Sequence, residues 1–166
     1  MVKRIHKSAP YFFEEDIQEA LRFIETSLRQ GSLTMGPHVK NFEKQFASKI
    51  GVKHAIAVNS GTAALEIVLR CLDVGGKEVI VPTETFVASA NAVILAGGKP
   101  VFAEINPQTL CLDLADVEKR ITSKTAAVMV VHMAGLILPD IERLVDRKST
   151  RLNSSHLKLS RMPSSA

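Results

Sequence analysis

Between the apolar run HAIAV and the apolar run TAALEIVLRCL the sequence places Asn59-Ser60-Gly61-Thr62. A strand that passes into a helix over so few residues needs a tight bend, and a glycine at Gly61 lets a ligand approach the backbone closely. The first amides of the helix have no partner within it, and the positive end of the helix dipole lies behind them. With the hydroxyls of Ser60 and Thr62 alongside, such a turn suits a phosphate or another anion. The same residues also describe an ordinary capped helix start, since serine and threonine are favoured there with or without a ligand. The turn carries neither G-x-G-x-x-G nor G-x-x-x-x-G-K-[ST], so dinucleotide-binding and P-loop chemistry lack their usual signature.

Phe86 is the second position of interest, about one turn into the helical run that follows VPTET. An aromatic face there can cover a flat ring, although core packing is the commoner fate of a single phenylalanine. His132 closes the run AAVMVV and can line a pocket, but a polar residue at a strand end more often meets solvent or a loop carbonyl. Asp113, Asp116 and Glu118 sit around the start of a helical pattern marked by Val117 and Ile121, where carboxylates cap and favour the helix. A cation site needs more convergent carboxylates, so no metal is expected. Thr34, Gly36 and Pro37 precede the second helical run, and the glycine and proline alone account for a sharp helix start. Cys71 and Cys111 fit no metal-ligand or disulfide spacing and read as core residues.

The elements that must position these residues follow from periodicity. Glu14 to Gln30 reads as a helix: Glu14, Glu15 and Asp16 favour its N-terminus, Ile17, Ala20, Leu21, Ile24 and Leu28 share a face, and Gly31 can end it. A second helix starts at Pro37, carries Val39, Phe42 and Phe46, and stops at Gly51. From His54 onward strands and helices alternate. HAIAV, EVIV, PVFAEI and AAVMVV read as four strands, separated by helices over Thr62 to Asp73, Phe86 to Ala96 and Leu114 to Ile121. The strand runs are near-continuously apolar, which implies burial on both faces and hence a mainly parallel sheet with helices on both faces, an α/β fold. In such sheets ligands gather beyond the carboxyl ends of the strands, where the 59–62 turn, Phe86 and His132 all fall.

Composition narrows the partners. The chain has 166 residues, 46% apolar and 23% charged, which suits a single globular domain. Its net charge of +4 is concentrated at one end: residues 147–166 hold five basic residues and no acidic one, leaving 16 basic against 17 acidic in the body. The body therefore gives no reason to expect nucleic acid. The Ser-rich segment 147–166 has no apolar period and follows a helical pattern that breaks off at Asp146. It reads as a non-native or disordered tail, similar to translated adapter sequence, with residues 1–146 forming the folded part. No apolar run is long enough to span a membrane and no signal-type segment follows Met1, so a cytoplasmic location is expected.

Taken together, GPHVKNFEKQFASKIGVKHAIAVNSGTAALEIVL, EVIVPTETFVASANAVILAGGKPVFAEINPQTLCLD and VHMAGLILPDIERL resemble, in order, the opening half of the large domain of DegT/DnrJ/EryC1/StrS aminotransferases. The resemblance runs from Gly36 to Leu144 and is far more specific than any single motif. It implies part of a PLP-dependent transferase fold type I large domain, with pyridoxal 5'-phosphate as cofactor. By position, Ser60, Gly61, Thr62 and Ala63 would hold the cofactor phosphate, and Phe86 would lie against the pyridine ring. The implied reaction moves an amino group, from glutamate as the expected donor, onto a keto-sugar nucleotide, in an enzyme that works as a homodimer.

The same resemblance implies that the lysine that joins the cofactor covalently, and the aspartate that pairs with its ring nitrogen, lie beyond the VHMAGLILPDIERL segment. Lys99 and Lys124 each precede a strand, at the amino ends of the sheet, and match neither role. No catalytic residue is assigned, and the chain as written is expected not to transaminate. Two other readings stay open. One is a family member that lacks the lysine, either a PLP-dependent dehydratase or a non-catalytic relative. The other is a Rossmann-like oxidoreductase, which would need a glycine-rich first turn and an acidic residue closing the second strand, where Pro82-Thr83 stands instead.

Overall fold

A computed structural model describes residues 10–146; the tail expected at 147–166 lies outside the described residues. The chain divides into two compact units, one ending at Ala57 and the other beginning at Val58, where composition alone suggested one domain.

The first unit holds helices α1 (Glu14–Gln30) and α2 (Pro37–Ile50). The acidic first turn expected for α1 is present, and Gly31 ends it in the left-handed conformation at φ 65°. Gly51 ends α2 in the same way at φ 73°. In each case the glycine amide satisfies a carbonyl of the last turn, the geometry that makes glycine preferred there. Pro37 occupies the first turn of α2, where its missing amide costs nothing.

HAIAV, expected as the first strand, is not one. Residues 54–58 pair with no other segment among the described residues, and Ile56 is 82% exposed. The Ala57 amide instead donates to Glu43 Oε1 of α2 at 2.8 Å. An apolar run signals a surface fit for burial, but a strand also requires a partner whose carbonyls and amides complete the ladder. The described part of the first unit contains helices and no strand.

The second unit is the α/β layer. Its order is α3 (Gly61–Cys71), β1 (Glu78–Pro82), α4 (Ala88–Leu95), β2 (Lys99–Ala103), α5 (Leu114–Arg120), β3 (Thr125–Val128), a 3-10 turn at Met133–Gly135, and α6 (Ile141–Asp146). The sheet has three strands rather than four, in order β2-β1-β3, with both pairs parallel. β1 is central, and Val79, Ile80, Val81 and Pro82 are all buried, as a strand covered on both sides requires.

Alternation along β1 sorts the core into two layers. Val79 and Val81 face one side and pack with Leu69 of α3 and with Ala92 and Val93 of α4. Ile80 faces the other and packs with Val117 of α5, Cys111, Leu112 and Leu138, while Ile141 and Leu144 of α6 lie against that layer. Helices therefore cover both faces. Cys111 is buried as expected, with its thiol donating to the Leu136 carbonyl at 3.4 Å. Cys71 is not a core residue: it is exposed at the last position of α3, whose buried stripe passes through Leu69.

Candidate functional site

The geometry of the 59–62 turn follows from its capping chemistry. Ser60 is extended at φ −160°, ψ 159°, and its Oγ accepts a hydrogen bond from the Ala63 amide at 3.1 Å. Its carbonyl accepts from the Ala64 amide, which starts the helical ladder. Ser60 is thus the N-cap of α3 and satisfies the third amide of the helix. The amides of Gly61 and Thr62 have no hydrogen-bond partner among the described residues. Ser60 and Gly61 are exposed, while Thr62 and Ala63 are half-buried. A methyl group built on Gly61 would meet nothing within 4 Å, so there is open space directly over the turn. Two unpaired amides, a helix dipole and open room form a place where an anion is favoured.

Phe86 reaches the same end of the sheet by a different route. α3 leads into the amino end of β1, and α4 leaves from its carboxyl end, so both helices run opposite to β1 on the face lined by Val79 and Val81. At their C-terminal ends Arg70 Nη2 donates to the Leu95 carbonyl at 2.6 Å. Phe86 is not one turn into a helix, as its spacing suggested, but lies two residues before α4 begins. Counting back from the tie at ~1.5 Å per helical residue, α3 starts about 14 Å away at Gly61 and α4 about 11 Å away at Ala88, with Ser60 and Phe86 just before them. Both therefore lie toward the carboxyl end of β1. Phe86 is 67% exposed, so it does not take the core position that is common for phenylalanine.

Next to it lies a pair of hydroxyls that sequence reasoning passed over. Thr85 Oγ1 and Ser89 Oγ are 2.8 Å apart, and Ser89 is buried at 6% exposure. Their spacing of four residues in VPTETFVASANAV was the available signal.

His132 is exposed and braces a loop: its Nδ1 accepts the Leu138 amide at 3.1 Å. Asp113 is the N-cap of α5, accepting from the Ala115 amide at 2.9 Å, as its position suggested. Asp116 accepts the Glu104 amide at 2.8 Å and Arg120 Nε at 2.6 Å. That backbone hydrogen bond first, and the Arg120 bond second, hold its carboxyl below the usual range; burial opposes them, and the Arg120 and Lys119 charges add smaller lowering effects. Among the described residues no group of three or more His, Cys, Asp or Glu could hold a metal ion. Gly36 and Pro37 act as helix-start residues; a side chain on Gly36 would come within 2.7 Å of Ser32 Oγ.

A parallel α/β layer with an anion-ready turn and an exposed aromatic at one end of its strands is the class of structure that cofactor-dependent α/β enzymes use to hold a phosphorylated group. Comparison with known proteins makes this specific. The sequence profile of the DegT/DnrJ/EryC1/StrS aminotransferase family matches residues 14–150, and the chain belongs to that family. It is 44% identical over 129 residues to the spore coat polysaccharide biosynthesis protein SpsC of Bacillus subtilis, covering 77% of this chain and 32% of SpsC. It is 48% identical over 105 residues to the GDP-perosamine synthase of Caulobacter vibrioides, covering 63% of this chain and 28% of that protein. Among solved structures, the PLP-form of the sugar aminotransferase Spr1654 from Streptococcus pneumoniae superposes with a TM-score of 0.80 at 34% identity, over 93% of this chain and 39% of that one. The chain thus spans about a third of the length of the curated relatives it matches.

Proposed function

We propose that this chain forms the phosphate-holding and ring-flanking part of a pyridoxal-phosphate aminotransferase that places an amino group on a keto-sugar nucleotide. The observation that carries the reading is the 60–63 turn: the Gly61 and Thr62 amides have no partner among the described residues, and there is open space over Gly61 at the N-terminus of α3, at the end of the sheet where Phe86 is exposed. The relatives' names support the substrate class, among them a GDP-perosamine synthase and a dTDP-aminosugar transaminase.

Pyridoxal phosphate, when bound, supplies an electron sink that lets an amino group pass between two carbonyl carbons. The residues here contribute binding and orientation. The Gly61 and Thr62 amides and the Thr62 hydroxyl donate to the phosphate, while Ser60 holds the Ala63 amide and so keeps the first turn in shape. Ala63 follows as the last residue of the cradle. The absence of a side chain at Gly61 leaves room for the phosphate oxygens. Phe86 covers one face of the ring and excludes water from it.

The reading includes glutamate as amino donor, a homodimeric and cytoplasmic whole protein, and residues 1–146 as part of the cofactor-binding domain with 147–166 foreign to it. It also holds that the 166-residue chain does not transaminate by itself, because none of its lysines at the sheet lies at the ligand end.

Equilibrium dialysis of the chain against pyridoxal phosphate tests the reading. Saturable binding is expected, and Phe86→Ala is expected to weaken it by about tenfold, the worth of a stacked ring. Ser60→Asp keeps a carboxylate cap on α3 but sets a negative charge against the phosphate, so binding should be lost while stability is retained. Equal affinity of Ser60→Asp and the unaltered chain would place the phosphate elsewhere.

A further inference from the structure

We infer that Ser89 and Thr85 are positioning residues that aim Phe86 at the ligand end of the sheet. The inference rests on the proposed role of Phe86 for its functional meaning, but its structural part stands by itself.

Phe86 is two-thirds exposed and has no aromatic neighbour among the described ring pairs, so packing does little to set its direction. A side chain in that situation is aimed by its own backbone and by the rotamers that backbone allows. The backbone around it is also without the usual support. Val87, at the N-cap of α4, is already helical at φ −50°, ψ −27°, and makes no side-chain capping bond. Residues 85–89 would therefore be expected to fray.

Ser89 supplies what the missing cap does not. Its amide donates to the Phe86 carbonyl at 2.9 Å, and its hydroxyl is bonded to that of Thr85 at 2.8 Å. One residue thus holds the carbonyl of Phe86 and the side chain of the residue before it. The direction of the hydroxyl bond follows from burial. Ser89 is 6% exposed, and its Oγ has no other partner among the described residues, so its proton would be stranded unless it points at Thr85 Oγ1. Ser89 donates and half-buried Thr85 accepts, which leaves the Thr85 hydroxyl proton free to face the ligand end. α4 is otherwise apolar in its first turns apart from Asn91, so a buried serine there has no packing advantage over alanine.

The test compares Ser89→Ala, Thr85→Val and Thr85→Ser in the chain by amide hydrogen exchange and by NMR of ring-labelled phenylalanine. Ser89→Ala and Thr85→Val are each expected to speed exchange of the residue 89 amide by about tenfold, the worth of one hydrogen bond, and to move the Phe86 ring resonances. Thr85→Ser keeps the hydroxyl and should restore both. The double variant should add little to either single one, because the two changes remove one bond. Unchanged exchange and ring shifts in both single variants overturn the inference whether or not any ligand binds. Pyridoxal phosphate and inorganic phosphate then separate the two ideas. Ser89→Ala should weaken the first about as much as Phe86→Ala does and leave the second unaltered. If the variants loosen Phe86 while Phe86→Ala itself leaves pyridoxal phosphate affinity unchanged, the brace stands and the proposed ring contact falls.

Discussion

Arg70 joins two helix ends: its Nη2 donates to the Leu95 carbonyl at 2.6 Å while its Nε meets Glu66 Oε1 at 2.9 Å. Leu95 is the last residue of α4, where carbonyls lack helical partners and the dipole is negative, so a guanidinium there satisfies an orphan acceptor and a charge together. The tie sets α3 beside α4 in register, and that register brings Ser60 and Phe86 to one end of β1. Arg70→Ala should lower stability by about 1 kcal/mol, discounted from the usual charge-assisted bond because the side chain is 59% exposed. Glu66→Ala removes only the surface pair and should cost under about 0.5 kcal/mol. Urea midpoints check the order; equal losses would mean that the Leu95 bond contributes nothing.

Asp116 gives the fold a pH dependence whose sign can be worked out. The Glu104 amide and Arg120 hold its carboxyl below its ordinary value of 3.8, so the folded state binds that proton less readily than the unfolded chain. The stabilisation is therefore complete above the unfolded value and is lost as pH falls through the lower folded one. Asp116→Asn should be less stable than the unaltered chain at neutral pH, and the gap should narrow as the pH falls below the ordinary value of 3.8 and through the lower folded one. Urea midpoints measured across that range provide the check, and a gap independent of pH would show that the charge of Asp116 is not what matters.

How much of this was readable in the sequence depends on whether the signal was local. The limits of α1 and α2 came from Gly31, Gly51 and Pro37, each acting within one turn of itself. The Ser60 cap was readable for the same reason. HAIAV was misread because apolar composition reports fitness for burial, whereas strand formation depends on a partner elsewhere in the chain. The core reading of Cys71 fails because the lack of a metal-ligand or disulfide spacing says nothing of which face of α3 a residue occupies, and the buried position of that helix is Leu69. The Thr85–Ser89 spacing was visible, but the brace also needed the knowledge that α4 begins just after Val87 and that Ser89 is buried, which residue types do not give.

Gly61 offers a test in which stability and binding move oppositely. Its backbone is not in the left-handed region, and a Cβ would meet nothing within 4 Å, so the fold itself does not require glycine there. Alanine should raise stability by about 0.5 kcal/mol through a less disordered unfolded chain and a better helical residue. If the open space belongs to a phosphate, the same methyl group should cut pyridoxal phosphate affinity by about tenfold or more. Thermal unfolding and dialysis on the same sample suffice. A variant that is both more stable and equally good at binding would mean that the glycine does not serve the ligand.

The lysines among the described residues of the second unit bear on whether this chain can carry the chemistry by itself. Lys77 precedes β1, Lys99 opens β2, Lys119 lies in the last turn of α5, and Lys124 precedes β3. All four are exposed, and strand polarity puts each at the amino end of the sheet. Strands of four to five residues at ~3.3 Å per residue separate that end from the 60–63 turn by roughly 13–16 Å, beyond the reach of a lysine side chain. Borohydride reduction of the chain in the presence of pyridoxal phosphate, followed by peptide mapping, should therefore give scattered, sub-stoichiometric labelling that follows exposure. Lys77, whose ammonium is bonded to the Asp73 carbonyl at 2.7 Å and carboxylate at 3.0 Å, should label least. One lysine labelled to a full equivalent would show an amine next to the bound cofactor and would overturn the view that this chain holds the coenzyme without completing its chemistry.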